Sequence, residues 1–391
     1  MKTINCRELR KRFELDGPQK TVDHLTEALQ SGDLKPDDFS LRDLAESLIP
    51  DGGARLRELD PRAGRTVSLL EDDTDTFLNV TGAVIETKIL DSYNQDVFAV
   101  SKLVDTIPTR FDGEKIYGGT LPDGAAVVEP GEEYPTVGFG EDYVETPGTT
   151  KRGLIVPVTK EAIFFDRTHL VLSRAAEVGE ALALNKEKRI LSTVLGITNT
   201  YKFNGAAKNT YYAGDSGDPW KNLLADNALE DWTNIDAAEN LLASILDPTS
   251  GEPILAEPDT VLVMPQSRHI AHRLFYASEL TYADTTSTGV SAVPNPFFRY
   301  NLVSSRLALQ LLKDAQPTPG NGETLPDPTS FWYIGNFAKA FAYMENWPIT
   351  VTQSVAGSEA DFTQDVVVRY KASERGTPAI LNPRYIAKCT G

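Results

Sequence analysis

"DRTHLVLSRAAEVGEALALNKEKRILSTVLG", residues 166–196, contains no proline and only one glycine before its last residue. Leu172, Ala176, Gly179, Ala183, Ile190 and Val194 recur at spacings of three, four and seven, which places them on one face of an α-helix. A helix over 166–195 would be roughly 45 Å long at 1.5 Å per residue. Asp166 reads as its N-cap and Gly196 as its C-terminal stop. Four heptads with alanines and a glycine on the packing face suit neither a coiled coil nor a very large core. The small residues admit the close approach of a second backbone, and the helix reads as a core helix.

Upstream of it the chain changes character. Between Pro108 and Val158, "YGGTLPDG", "EPGEEYPTVGFG" and "ETPGTTKRG" leave only short β-like pieces at Asp142–Thr146 and Leu154–Val158. Segments this long without secondary structure are uncommon inside compact domains. Tyr117, Tyr134, Phe139 and Tyr143 argue against disorder. A two-stranded projection is marginal alone and gains stability against another surface. The expectation is an arm that reaches a neighbouring subunit.

Residues 73–106 read as mostly helical, and residues 1–65 as short helices between polar breaks. "TVDHLTEALQSG" has Thr21 as its cap, and "SLRDLAESLIPDGG" stands behind Ser40. Two such helices bury little by themselves, so they pack on the main body or on a partner. "DPRAGRTVS" reads as the linker that leaves them. Downstream, "NGAAKN" and "GDSGDPW" read as loop, "TNIDAAENLLASIL" and "QSRHIAHRLFYA" as helices, "DTVLVMP" as a buried strand and "RYNLVSSRLA" as a further strand. The C-terminal stretch reads as strands, with "DVVVRYKA" apolar enough to be central in a sheet.

The 391 residues carry 38 Lys and Arg against 56 Asp and Glu, a net charge of −18. Residues 1–70 hold 12 basic against 13 acidic residues, and residues 71–391 hold the other 26 against 43, so the acidity belongs to the main body. The one basic knot is "RELRKRF" at 7–13. Such a surface repels nucleic acid, whose general recognition needs Lys and Arg. No apolar run approaches the length of a membrane span, and "MKTINCRELRKRFELDG" places charge where a signal peptide would be apolar; the expectation is a protein made and used inside a cell. Cys6 and Cys389 stand at opposite ends and read as reduced thiols.

Catalytic motifs are weak throughout. "GDSGDP" at 214–219 is one residue from the nucleophile loop of trypsin-like proteases, but a triad needs a histidine base, and His24, His169, His269 and His272 lie in no such motif. A soluble serine hydrolase using Ser216 is the remote alternative to a structural role. His269 and His272 stand three apart with no third ligand nearby. "EDDTD" at 71–75 lacks the glycine and closing glutamate of a calcium loop. No phosphate-binding or dinucleotide motif occurs. The expectation is therefore no catalytic residue, no metal and no cofactor.

The order of parts carries more than any motif. "TTKRGLIVPVTKEAIFFDRTHLVLSRAAEVGEALALNKEKRIL" looks like an extended arm running through Thr159, Lys160 and Glu161 into a spine helix. "YIGNFAKAFAYMENWPITVTQS" keeps Gly335, Phe337, Ala342 and Tyr343 of a glycine-aspartate-phenylalanine pattern, with Asn336 in place of the aspartate. "VVVRYKASERGTPAILNPRYIAKC" supplies closing strands with Arg369 and Pro383. Over about residues 75–390 the chain resembles the major capsid (major head) protein of tailed double-stranded DNA bacteriophages, the Hong Kong 97-type fold that encapsulins also use.

That resemblance implies an α+β fold and a division of the chain. Residues 1–65 would form a helical extension, 66–107 an N-terminal arm and 108–158 an extended loop. Residues 159–220 would form a peripheral domain with the spine helix, 221–335 an axial domain, and 336–391 closing strands of both. It implies a subunit that assembles with itself into pentamers and hexamers of an icosahedral head enclosing double-stranded DNA without sequence-specific binding and without a membrane. Portal, scaffold, protease or decoration proteins would be its partners, and it would reside in the virion capsid after assembly in the host bacterial cytoplasm. An encapsulin-type nanocompartment shell is the alternative. Tyr134, Phe139, Tyr143, Lys151, Arg152 and Glu161 are the candidate inter-subunit contacts. Lys151 and Asn382 are the positions for the lysine-asparagine isopeptide bond that some relatives form.

Overall fold

The computed structural model describes residues 17–38, 40–49, 75–95, 97–118, 128–131, 142–214, 220–247, 253–283, 290–316, 326–354 and 365–391, with a few isolated positions besides. In chain order the first elements are α1 (Pro18–Gln30), α2 (Leu41–Leu48), α3 (Asp75–Tyr93), β1 (Asp105–Pro108), β2 (Lys115–Tyr117), β3 (Tyr143–Glu145) and β4 (Thr150–Thr159). Then come α4 (Lys160–Phe164), the long α5 (Thr168–Val194), β5 (Thr200–Phe203), β6 (Ala206–Asn209), β7 (Leu223–Leu224), α6 (Trp232–Ala243), β8 (Thr260–Val263) and α7 (Arg268–Tyr276). The chain closes with β9 (Glu279–Ala283), β10 (Val290–Pro294), β11 (Asn301–Ser304), α8 (Arg306–Ala315), β12 (Trp332–Gly335), α9 (Phe337–Ala340), β13 (Phe341–Gln353), β14 (Val366–Ile380) and β15 (Ile386–Cys389). The architecture is α+β, as the resemblance implied.

The chain divides into two compact units, one built from residues 1–97, 151–185 and 347–375, the other from 98–150, 186–346 and 376–391. In the first, Phe77, Val80, Ile85 and Ile89 of α3 share a core with Leu172, Ala175 and Leu182 of α5 and with Val367 and Tyr370 of β14. Leu25 and Leu29 of α1 and Leu41, Leu44 and Leu48 of α2 belong to the same core, so the N-terminal helices pack on the main body. Gly179 explains how α3 and α5 come so close. A Cβ there would lie 3.1 Å from both the carbonyl carbon of Ile89 and Cβ of Ser92, and closer still to the Ile89 oxygen. No side chain larger than hydrogen fits.

Two caps differ from the sequence reading. Helix α1 begins at Pro18, a residue whose fixed φ suits a first helical turn, with Gly17 as its N-cap. Thr21 therefore sits inside the helix, its hydroxyl donating to Gly17 O at 2.8 Å. Asp166 does not cap α5 either: it adopts φ 49°, one residue further from the helix. Its carboxylate instead accepts from Ser40 Oγ (2.9 Å) and Thr168 Oγ1 (2.7 Å), while Leu41 N donates to Thr168 Oγ1 (2.8 Å). The same Ser40 caps α2 by accepting from Asp43 N, so one polar knot fixes the starts of α2 and α5.

In the second unit a five-stranded sheet runs in the order β11-β8-β12-β15-β7. Side chains alternate between its faces, and helices cover both, which explains why "TVLV" and "WYIG" are buried at every position. Leu262, Tyr333 and Ile386 face Leu191, Val194 and Leu195 of the α5 region and Ala308 and Leu312 of α8. Val261, Val263, Trp332, Ile334 and Ala387 face Ile235 and Leu241 of α6 and Ala271 and Phe275 of α7. "RYNLVSSRLA" is strand only through Ser304. Ser305 then accepts from Ala308 N and starts α8.

Of the predicted "NGAAKN" loop only Asn204–Gly205 is turn, and Ala206–Asn209 is strand β6 of a hairpin. Asn204 (φ 49°) and Gly205 (φ 76°) form the left-handed pair that a two-residue hairpin turn requires. The hairpin β5–β6 extends β2–β3, giving a four-stranded sheet in the order β2-β3-β5-β6 in place of an isolated two-stranded projection. A further sheet runs β1-β13-β14-β4, which makes the "DVVVRYKA" strand central, as expected, and β4 an edge.

The C-terminal end of α5 is buried, so its last carbonyls need partners. Gly196 N donates to Thr193 O and Ile197 N to Ser192 O, the Schellman pattern. Three side chains complete the cap: Tyr211 Oη donates to Val194 O (2.5 Å), while Tyr333 Oη and Lys388 Nζ each donate to Leu195 O (3.2 Å).

Candidate assembly surfaces

Strand β4 changes character along its length. Thr150 to Ile155 are exposed, including Leu154 (43%) and Ile155 (54%), whereas Val156 and Val158 are buried. An edge strand offers unpaired backbone groups as a template for another chain, and charge on it discourages promiscuous pairing. Lys151 and Arg152 supply that charge. Lys151 Nζ also stands 5.4 Å from the ring of Trp347 on β13, and the Arg375 guanidinium stands 5.5 Å from the same ring. A half-exposed tryptophan between two cations has the composition of an interface anchor.

A second surface lies at the α4–α5 junction. Thr159 caps α4 by accepting from Ala162 N at 3.2 Å, and Glu161 sits exposed in its first turn, where a carboxylate favours the helix dipole. Lys160 reaches Asp365 at 3.6 Å. Beside them Phe165 and Leu170 are exposed, and the Arg167 guanidinium lies 5.5 Å from the Phe165 ring.

In the second unit Tyr143 sits with Tyr117 (ring centroids 5.9 Å) and under Lys115 Nζ (4.1 Å). The Tyr143 hydroxyl accepts from Lys115 and holds its ammonium above the usual range. Tyr117 and Phe111 stay largely exposed nearby in sequence. His272, Tyr276 and Phe298 form an aromatic row, with ring centroids 5.0 and 6.0 Å apart.

Of the sequence candidates, Lys151, Arg152 and Glu161 lie in the first unit, and Tyr143 and Asn382 in the second. Tyr134 and Phe139 lie outside the described residues, as do Ser216, Cys6 and residues 71–74. Asn382 accepts from Arg384 N at 3.2 Å and so starts the turn at 383–385. Within one subunit Lys151 is exposed. Trp347 and Arg375 escaped the sequence reading because a lone Trp and a lone Arg on a strand carry no spacing signal.

Other residues with chemical potential serve structure. Glu187, buried on α5, accepts from Val100 N (3.0 Å) and Ser101 N (2.8 Å); burial raises its carboxyl and those two hydrogen bonds pull it down. Asn336, where the aspartate was expected, caps α9 by accepting from Lys339 N and donates to Asp259 Oδ2 at 3.0 Å. An aspartate there would face that carboxylate. His269 and His272 are exposed on α7, and among the described residues no cluster of three His, Cys, Asp or Glu could hold a metal. Cys389 is buried, its thiol pushed up to about 12 by desolvation, which leaves it unreactive. Among the described residues no helix is long and apolar enough to cross a membrane.

Residues 143–389 match the family model described as "Phage capsid protein". The chain belongs to the phage capsid protein family. As such it is a shell-forming structural subunit of a bacteriophage capsid, and self-assembly is its function. Among solved structures, it is similar to the capsid of the empty GTA particle (11% identity, 76% of this chain and 90% of that one, TM-score 0.43). A structure from Mycobacterium phage Ogopogo (15%, 75% and 91%, 0.41) and the holo-SrpI encapsulin complex from Synechococcus elongatus (12%, 75% and 86%, 0.42) are also similar. A comparison with curated protein sequences finds no match.

Proposed function

We propose that this capsid subunit builds the icosahedral head of a tailed phage from pentamers and hexamers, around double-stranded DNA that it encloses without reading. The observation that carries the assembly part is β4. An exposed edge strand bearing Leu154 and Ile155, beside the cation-flanked Trp347, is a surface that a single subunit leaves unfinished. The segment 108–158, which includes most of β4, is the extended loop, which lies on a neighbouring subunit, and Tyr134, Phe139, Tyr143, Lys151, Arg152 and Glu161 mark that contact. In this reading 66–107 is the arm, 159–220 the peripheral domain with the spine helix, 221–335 the axial domain and 336–391 the closing strands of both.

The charge supports the container role. A net charge of −18 gives a wall that repels the polymer inside it, so that DNA slides during packaging. Portal, scaffold, protease or decoration proteins are the remaining partners, and assembly takes place in the host cytoplasm. The double variant I155D/W347A tests the surface. It is expected to stay folded by circular dichroism yet form no closed shells at concentrations where the parent protein does. Normal shells from this variant would refute the role of β4. Particles from induced cells should contain DNA, and protein-filled particles without it would overturn the DNA-container reading.

A further inference from the structure

At the C-terminal end of α5 lies an open cavity of about 220 Å³, lined by Leu195, Ile197, Leu312, Ala315, Phe331 and Lys388. The lining is mixed, with Gln316 and Lys388 as its polar side chains among apolar neighbours. Lys388 occupies the second-to-last position of β15, on the sheet face otherwise given over to Leu262, Tyr333 and Ile386. Its ammonium has three donors, and one is used on Leu195 O. Around it stand the rings of Phe331 (5.0 Å), Tyr211 (5.5 Å) and Tyr333 (5.8 Å). None of the ion pairs among the described residues includes Lys388. Lys388 is half-buried, and a cation partly withdrawn from water is ordinarily paired with an anion, because desolvation is costly. A helix cap accounts for one of its bonds, and the ring faces and the negative end of α5 offset part of the charge, which leaves two donors for an anion.

We propose that this cavity binds a short aliphatic carboxylate, its head paired with Lys388 and its tail against Leu312, Ala315 and Phe331. The volume lies below the ~300–1,000 Å³ of sites for drug-sized ligands, so the ligand is a chain of a few carbons. The same chemistry is available from a free carboxylic acid or from an acidic side chain of a second copy. Hexanoate mimics both.

Burial lowers Lys388 to about 8. The other titratable groups facing it, the Tyr211 and Tyr333 hydroxyls, are pushed up by burial and stay protonated. Cys389, its neighbour in sequence, packs among the residues of the opposite sheet face. Binding of a carboxylate therefore requires the ammonium form. Above pH 8 the complex must take up a proton, and affinity falls by about tenfold per pH unit.

The test is isothermal titration of the full-length protein with sodium hexanoate at pH 7 and pH 9.5, in buffers of different ionisation enthalpy, with hexanol as the uncharged control. The expected result is binding that weakens at pH 9.5, proton uptake there, and at least tenfold weaker binding of hexanol. K388M should abolish the preference for hexanoate over hexanol. A315F, which fills the cavity but keeps the ammonium, should abolish binding of both and serves if K388M does not fold. Dispersed subunits and closed shells are titrated separately. Binding in the dispersed state only identifies a second copy as the natural source, and binding in both identifies a free acid. No binding at pH 7, equal affinity for hexanol, or pH-independent affinity would each overturn the proposal.

Discussion

Gly179→Ala sets two effects of opposite sign against each other. In an isolated helix the exchange is favourable by about 1 kcal/mol, because glycine loses more backbone freedom than alanine on folding. In α5 the added methyl falls inside 3.0 Å of the Ile89 carbonyl oxygen and 3.1 Å from Ser92 Cβ. The obstacle is backbone, which has no rotamer to turn away. Restoring ordinary contact distance moves α3 and α5 apart by roughly 1 Å, and a gap of that size forfeits a quarter to a half of each dispersion contact it opens. The affected contacts include those of Ile85 and Ile89, both fully buried. Overpacking of this kind costs about 1–3 kcal/mol, and a backbone obstacle places the cost at the upper end, so the expected net change is a destabilisation of roughly 2 kcal/mol. Urea unfolding of dispersed subunits, followed by far-ultraviolet circular dichroism, should show the midpoint falling. An unchanged or higher midpoint would refute the backbone contact between the two helices.

Three further outcomes follow from single contacts. Asp247 and Arg384 form a buried pair at 3.0 Å, so Asp247→Ala leaves an uncompensated charge and should cost about 3–5 kcal/mol in the same unfolding assay. Asn336→Asp keeps the α9 cap but sets two carboxylates against each other; it should cost about 1 kcal/mol, and Asp259→Asn in the same chain should restore the loss. Lys388 releases its proton near 8 in the folded subunit and at its ordinary 10.5 when unfolded, so between those values unfolding takes up a proton. Over that window wild type should gain roughly 3 kcal/mol relative to K388M as pH rises, measured by urea unfolding at pH 7.5 and 10.5.

What the sequence disclosed depended on how local its cause was. The face from Leu172 to Val194 announced α5 because helical packing repeats every three to four residues, and Gly179 announced a close neighbour without identifying it as α3. Asp166 misled because an aspartate two residues before a helix has the composition of a cap, whereas its partners, Ser40 and Thr168, are fixed by folding. The Asn204–Gly205 hairpin was open to recognition, since that dipeptide has one strongly favoured turn, but its flanking strands are too short and polar to show alternation. The surface at Trp347 could not be read at all. Lys151, Trp347 and Arg375 meet only because β4, β14 and β13 pair across hundreds of residues of chain. Lys388 likewise stands in a strand whose neighbours predict burial, and only the fold shows that its charge is withdrawn beside a cavity.

The central claim is that this chain closes on copies of itself, and electron microscopy of the purified protein under assembly conditions tests it most directly. Uniform closed shells are the predicted result. A subunit that stays monomeric across protein concentration, salt and pH, with no shells in any field, would contradict the account.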